Sequence, residues 1–117
     1  MDRKTVFDFN RALTLTRQCP AYQPTPLLKI KAPSGHQLMV KDETSRFRMG
    51  AFKALGGIYA MAAVLLARWR EENQADIEPE QLFSEEIQDW SRQFTFVCAS
   101  AGNHGLAVAT GAKLFNA

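Results

Sequence analysis

The sequence predicts a single α/β domain, and three features carry that expectation. Apolar residues Ala54, Leu55, Ile58, Met61, Ala62, Leu65, Leu66 and Trp69 recur at three- and four-residue steps, the period of a long amphipathic helix over 51–73. Residues 94–99 are aromatic and β-branched, the composition of a buried strand. A small-residue turn at 100–105 follows that run directly and opens a second helical stretch at 106–114. The order strand, loop, long helix, short helix, strand, turn, helix supplies the crossovers that parallel strands need.

From the N-terminus, residues 4–16 suit a short helix of weak amphipathicity. Four of the five prolines (Pro20, Pro24, Pro26, Pro33) fall within the next stretch. Each removes an N–H and pushes its predecessor toward extended geometry, so residues 1–33 read as an extended opening segment. A strand fits at 27–31, Pro33-Ser34-Gly35 is a turn, and a second strand at 37–41 completes a hairpin. Residues 34–73 hold that second strand, a polar loop ending at Gly50, and the long helix. The connection 74–93 is polar and acidic, with a short helix at 84–90. Ser84 followed by Ile87 lacks the acidic third position of a capping box. Residues 94–117 hold the strand, turn and last helix.

Composition narrows the function. The 117 residues carry 14 Lys and Arg against 12 Asp and Glu, a net charge of +2. That balance disfavours a nucleic-acid binder, which concentrates basic charge. With 46% hydrophobic and 22% charged residues the chain is an ordinary globular domain rather than a disordered one. The longest apolar run, 58–67, is about half of the ~20 residues that a membrane helix needs. No secretory leader follows Met1. Cys19 and Cys98 form no metal-ligand spacing and read as reduced thiols of a cytoplasmic protein.

Two segments can carry chemistry. In the run 50–57, Lys53 stands in the first turn of a helix among apolar and small residues, with Gly56-Gly57 one turn on. Glycine inside a helix costs about 1 kcal/mol relative to alanine, so the pair signals close backbone approach. A cation at a helix N-terminus opposes the macrodipole, a placement that favours the neutral amine of a Schiff-base nucleophile. The same spacing suits a snorkelling lysine beside a kinked helix start. In the run 99–105, Ser100, Asn103 and His104 supply hydrogen-bonding side chains, and Ala101, Gly102 and Gly105 let the backbone wrap an anion at a helix N-terminus. A plain N-cap turn is the alternative. Only Gly102 and Gly105 of a GxGxxG pattern are present, which weakens a dinucleotide site. His36 falls in a turn and faces solvent. No further His or Cys stands at metal-ligand spacing.

Four pieces occur in order: Gln23-Pro24-Thr25-Pro26-Leu27, then Lys41-Asp42-Glu43-Thr44-Ser45-Arg46-Phe47, then Ala51-Phe52-Lys53-Ala54-Leu55-Gly56-Gly57, then Ser100-Ala101-Gly102-Asn103-His104-Gly105. Together they resemble the front portion of the fold type II, tryptophan-synthase-β-like pyridoxal-phosphate enzymes. The resemblance is strongest to diaminopropionate ammonia-lyases, with threonine dehydratases next. It implies a partial doubly wound, mainly parallel sheet. It implies that Lys53 binds pyridoxal 5'-phosphate as an imine and shuttles the α-proton, that Phe52 packs beside the cofactor, and that Asn103 hydrogen-bonds its phenolic oxygen. Ser100, Ala101, Gly102 and His104 would line the substrate-carboxylate pocket. The reaction implied is a lyase reaction on a small amino acid that releases ammonia by α,β-elimination.

The sequence departs from the family at two levels. Diaminopropionate ammonia-lyases carry an acidic residue where this chain has Ala101, and the 100–104 run is closer to threonine dehydratases, so substrate choice stays open. Family members are also several times longer, and their glycine-rich phosphate loop lies downstream. The expectation is therefore a truncated chain with apolar helix faces left bare, either a homo-oligomer or a pair with a missing remainder. The alternatives are a non-catalytic interaction module built on the same fold, and an unrelated α/β domain in which Lys53 and Asn103 lie far apart.

Overall fold

The computed structural model describes residues 9–100 and 102–117. Helix α1 is Phe9–Gln18, so the residues 4–8 of the expected first helix lie outside the described range, and its end falls two residues later than expected. Strands β1 (Leu27–Lys31) and β2 (Gln37–Lys41) pair antiparallel, with Leu28 opposite Val40 and Ile30 opposite Leu38. Within the connecting loop Gly35 donates its N–H to the Ala32 carbonyl and takes φ +85°, the left-handed position that follows a type I turn in a three-residue hairpin loop. Helix α2 runs Lys53–Asn73, α3 Glu85–Ser91 and α4 Asn103–Phe115, with a 3₁₀ turn Pro79–Phe83 before α3.

The core is helical. Ala54, Ile58, Met61, Ala62 and Leu65 form the buried stripe of α2, the face that the sequence period assigns. Leu15 of α1, Leu82 and Ile87 of the acidic connection, and Phe115 of α4 close over it. The face expected to be bare is thus covered by other helices rather than by a sheet. Trp90 fixes the far end: it meets Trp69 edge-on at 5.1 Å between ring centres, meets Phe94 at 4.7 Å, and donates its indole N–H to Glu72 at 2.8 Å. Gln88 of α3 donates to the Leu114 carbonyl, and Asn116 donates back to Gln88, which ties α3 to the end of α4.

Helices α2 and α4 form the most extensive packing between elements, and they run parallel. A Cβ added at Gly57 would come within 2.9 Å of the Ala107 Cβ, and one added at Gly111 within 2.6 Å of the Met61 Sδ. Both contacts join residues fifty positions apart (57 with 107, 61 with 111), so the two helices advance together. The close approach expected of the glycine pair is therefore made by Gly57. Gly56 has open space around it.

Two expectations need correction. Residues 94–99 form no strand: the described residues hold one sheet, the two-stranded β1–β2 hairpin. A strand is defined by ladder partners, and none lies beside this segment. Its side chains nonetheless alternate, with Phe94, Phe96 and Cys98 half-buried and Thr95 and Val97 exposed, as in extended chain. The last helix begins at Asn103 rather than Leu106. Gly102, at φ +95°, sets that start, and its carbonyl accepts the Leu106 N–H.

The hairpin stands apart from the core. All ten strand residues are exposed. Leu28, Ile30, Leu38 and Val40 share one face and are 39–49% exposed. The opposite face carries Lys29, Lys31 and Lys41 with Leu27 and Met39. The radius of gyration, 17.1 Å, exceeds the ~13 Å of a close-packed domain of this length, in keeping with an arm that projects.

Candidate functional site

Lys53 is the first residue of α2 and Asn103 the first of α4, and both side chains are exposed. Each lies four residues before the Gly57–Ala107 contact, one helical turn, on helices that run the same way. The two tips therefore share one end of the pair. Helices packed this closely have axes about 8 Å apart. Lys53 and Asn103 thus leave the chain from neighbouring helix starts.

Gly102, His104 and Gly105 fall at the same end. His104 and Gly105 occupy the first turn of α4, and Gly102 is its N-cap. No side chain caps that helix, so its first-turn N–H groups keep the lone donor character of a helix N-terminus. Gly105 has a geometric reason: an added Cβ would stand 2.6 Å from the Ser100 carbonyl oxygen. The absent side chain lets the chain at 98–100 fold back over the helix start. Ser100 is exposed, and Ala101 lies outside the described residues. Phe52 immediately precedes α2 and is 66% exposed, open to any occupant of this end. His36 lies in the hairpin loop, where its Nδ1 and the Ser34 hydroxyl are 2.9 Å apart, far from this set in the chain.

A primary amine, an amide and a helix N-terminus at one end match the donor types that a phosphorylated pyridine aldehyde needs. The amine can condense with an aldehyde, the amide can hydrogen-bond a phenolate, and backbone N–H groups can hold an anion. The residues present fit such a group.

Behind the Lys53 tip lies a clasp to which the sequence reading assigned no role. Arg46 is 4% exposed. Its guanidinium grips Glu43 at both oxygens (Nε to Oε2 at 2.5 Å, Nη2 to Oε1 at 2.9 Å), donates to the Gln23 carbonyl at 3.0 Å and reaches the Thr25 hydroxyl at 2.7 Å. Thr25 in turn donates to Glu43 Oε1 at 2.6 Å. The Lys41 ammonium donates to the Thr25 carbonyl, and the Asp42 N–H to the Pro26 carbonyl. The Tyr22 ring covers the guanidinium, 5.6 Å from its centroid. The bonds from Arg46 hold the Glu43 carboxyl down to about 2, against burial that raises it, with Thr25 and the charges of Arg46 and Lys41 adding to the depression. Nothing in the spacing of Thr25, Glu43 and Arg46 announces a cluster, because Thr25 arrives from another part of the chain.

The family described as "Pyridoxal-phosphate dependent enzyme" matches residues 19–117. Similar curated proteins include diaminopropionate ammonia-lyase of Escherichia coli K12, 34% identical over 97 residues, which covers 79% of this chain and 23% of the relative. The diaminopropionate ammonia-lyase of Salmonella typhimurium LT2 is 33% identical over 111 residues, 89% of this chain and 26% of the relative. The chain spans about a quarter of the length of these curated relatives. No solved structure matches it significantly.

Proposed function

The chain belongs to the pyridoxal-phosphate-dependent enzymes, and from that premise we propose that it serves a lyase that releases ammonia from a small amino acid by α,β-elimination. The named activity of its relatives points to an amino acid bearing a second amino group on Cβ. When bound, pyridoxal phosphate supplies an aldehyde for an amine and an electron sink for the charge left by a departing α-proton. Lys53 Nζ is the amine in this reading, and once free it takes the α-proton. The Asn103 amide donates toward the ring oxygen, and Phe52 flanks the ring. Ser100, Ala101, Gly102 and His104 surround the substrate carboxylate, which the first-turn N–H groups of α4 hold. With the carboxylate fixed and the α-proton held on Lys53 Nζ, the bound cofactor would supply the electron sink, and a protonated β-amino group would depart as ammonia as the Cα=Cβ bond forms.

The observation that supports this reading is that Lys53 and Asn103 each open their helix one turn before the Gly57–Ala107 contact. In the same reading, the alternating segment 94–99 is a strand of a doubly wound, mainly parallel sheet in a longer family member, and the reaction takes place in the cytoplasm. The test is chemical. Incubating the protein with pyridoxal phosphate, reducing with borohydride and mapping the adduct by mass should place it on Lys53, and Lys53→Ala should abolish it. Labelling spread over the other lysines, unchanged in Lys53→Ala, would end the assignment.

One observation favours a second reading, a non-catalytic interaction module. The apolar hairpin face of Leu28, Ile30, Leu38 and Val40 is exposed and paired only along its own ladder, and such a face suits a second copy or another chain. Sedimentation that stays monomeric at rising concentration would remove the self-association form of that reading.

A further inference from the structure

We propose that Arg46, Glu43 and Thr25 are positioning residues that set the Lys53 amine by holding a strained turn ahead of it. The proposal rests on the reading of Lys53 as the cofactor-bonding lysine.

The strain is local and specific. Phe47 has φ 48° and ψ 26°, and Arg48 has φ 58°. Two successive side-chain-bearing residues in the left-handed region crowd Cβ against the following carbonyl and are strained. Such a conformation persists only where the surroundings over-determine it. Here two features do so. Phe47 is 7% exposed and anchored in the core. Immediately before it, the Arg46 fork donates to Glu43, Gln23 and Thr25. Gly50 then turns with φ +65°, and a Cβ there would stand 3.3 Å from the Thr44 carbonyl oxygen. Ala51 is buried at 5% exposure, and α2 opens two residues later with Lys53.

The first turn of α2 is held by the buried Ala54 and has no side-chain cap. Phe52, at its N-cap, makes no side-chain capping bond, and the Ala54 and Leu55 N–H groups reach only 3₁₀-type acceptors, at 3.3 Å and 3.2 Å. The direction in which Lys53 leaves the chain is therefore set by the burial of Ala54 on one side and by the turn and its clasp on the other. Arg46 acts seven residues from the amine and Thr25 twenty-eight, so both act through the backbone. The planar fork is what the arrangement needs, since lysine cannot bond two Glu43 oxygens, a carbonyl and a hydroxyl together.

The experiment uses the whole chain, with inorganic borohydride and pyridoxal phosphate as probes. It compares wild type, Arg46→Lys, Thr25→Val and Thr25→Ser by the rate and selectivity of trapping at Lys53, and by amide hydrogen exchange across 51–57 and 61–66. Misplacing a reacting group by about 1 Å can cost ~100-fold, so Arg46→Lys and Thr25→Val should trap at Lys53 at least about tenfold more slowly. Their exchange should rise at 51–57 and stay at wild-type level at 61–66. Thr25→Ser keeps the hydroxyl and should restore both readouts. Wild-type trapping and exchange at 51–57 in Arg46→Lys and Thr25→Val would overturn the proposal. So would loss of protection across both segments together in Thr25→Val, since the hydroxyl would then support the whole fold rather than the turn. If wild type itself shows no adduct on Lys53, the lysine reading fails and this one with it. A wild type that labels at Lys53 beside variants that label equally well sinks the positioning role alone.

Discussion

The helical body and the β1–β2 hairpin use apolar residues in opposite ways. In the body, Leu15, Ile58, Leu65 and Phe115 are at most 2% exposed, and the contacts among helices decide where each helix sits. In the hairpin, Leu28, Ile30, Leu38 and Val40 line one face and stay exposed. Its form comes from the ladder register and from Gly35 in the turn. The difference teaches that local pattern can fix an element's shape, while only burial fixes its place. The chemistry-bearing tips belong to the body, and the clasp of Thr25, Lys41, Glu43 and Arg46 is the seam between the two regions.

The sharpest way to break this contrast is to remove one side chain from the body. Leu65→Ala should cost about 3 kcal/mol, from lost transfer energy plus a cavity, read as a shift in the urea midpoint. A cost near zero would mean that the α2 stripe is not the core. The seam should show next, and through acid. The Glu43 carboxyl lies at about 2 in the folded chain, below its ordinary 4.5, so the stability it contributes is complete above pH 4.5 and drains away as pH falls toward 2. Glu43→Gln should flatten that part of the urea midpoint against pH. An unchanged acid limb in the variant would assign it to other carboxylates. The smallest effect belongs to the arm: Leu28→Ala should change stability by about 0.5 kcal/mol or less, as surface substitutions do. A loss comparable to that of Leu65→Ala would show that the arm is covered in solution.

The hairpin was legible in the sequence to the residue, because apolar alternation and the Pro33-Ser34-Gly35 turn are both local signals. The span of α2 was legible within two residues at its start, because its apolar period is long. The residues 94–99 misled for a physical reason: composition reports a preference for extended chain, whereas a strand also requires a neighbour. The start of α4 was hidden because Asn103, His104 and Gly105 carry no apolar period. A signal at Glu78-Pro79-Glu80-Gln81 was overlooked. There Glu78 and Gln81 cap one another reciprocally around Pro79 and start the 3₁₀ turn, and Ser84 then accepts the Ile87 N–H to begin α3. At the candidate site the residue types at 53 and 100–105 could be read from local context, and the shared end of their helices could not. It depends on Gly57 against Ala107 and Gly111 against Met61, contacts that no local window contains.

The fifty-residue offset between α2 and α4 has an architectural consequence. Helix α2 is 21 residues long, so it carries the chain about 31 Å away from Lys53 before Gln74 ends it. The stretch from 74 to 102 must retrace that distance before α4 can set out again from the starting side. The return path is built from brief elements anchored at Trp90 and Leu82, and the interlock of the two long helices does not depend on its length. Residues inserted at its exposed bends, such as around Ala75, would lengthen the detour and leave the amine and the amide as far apart as before.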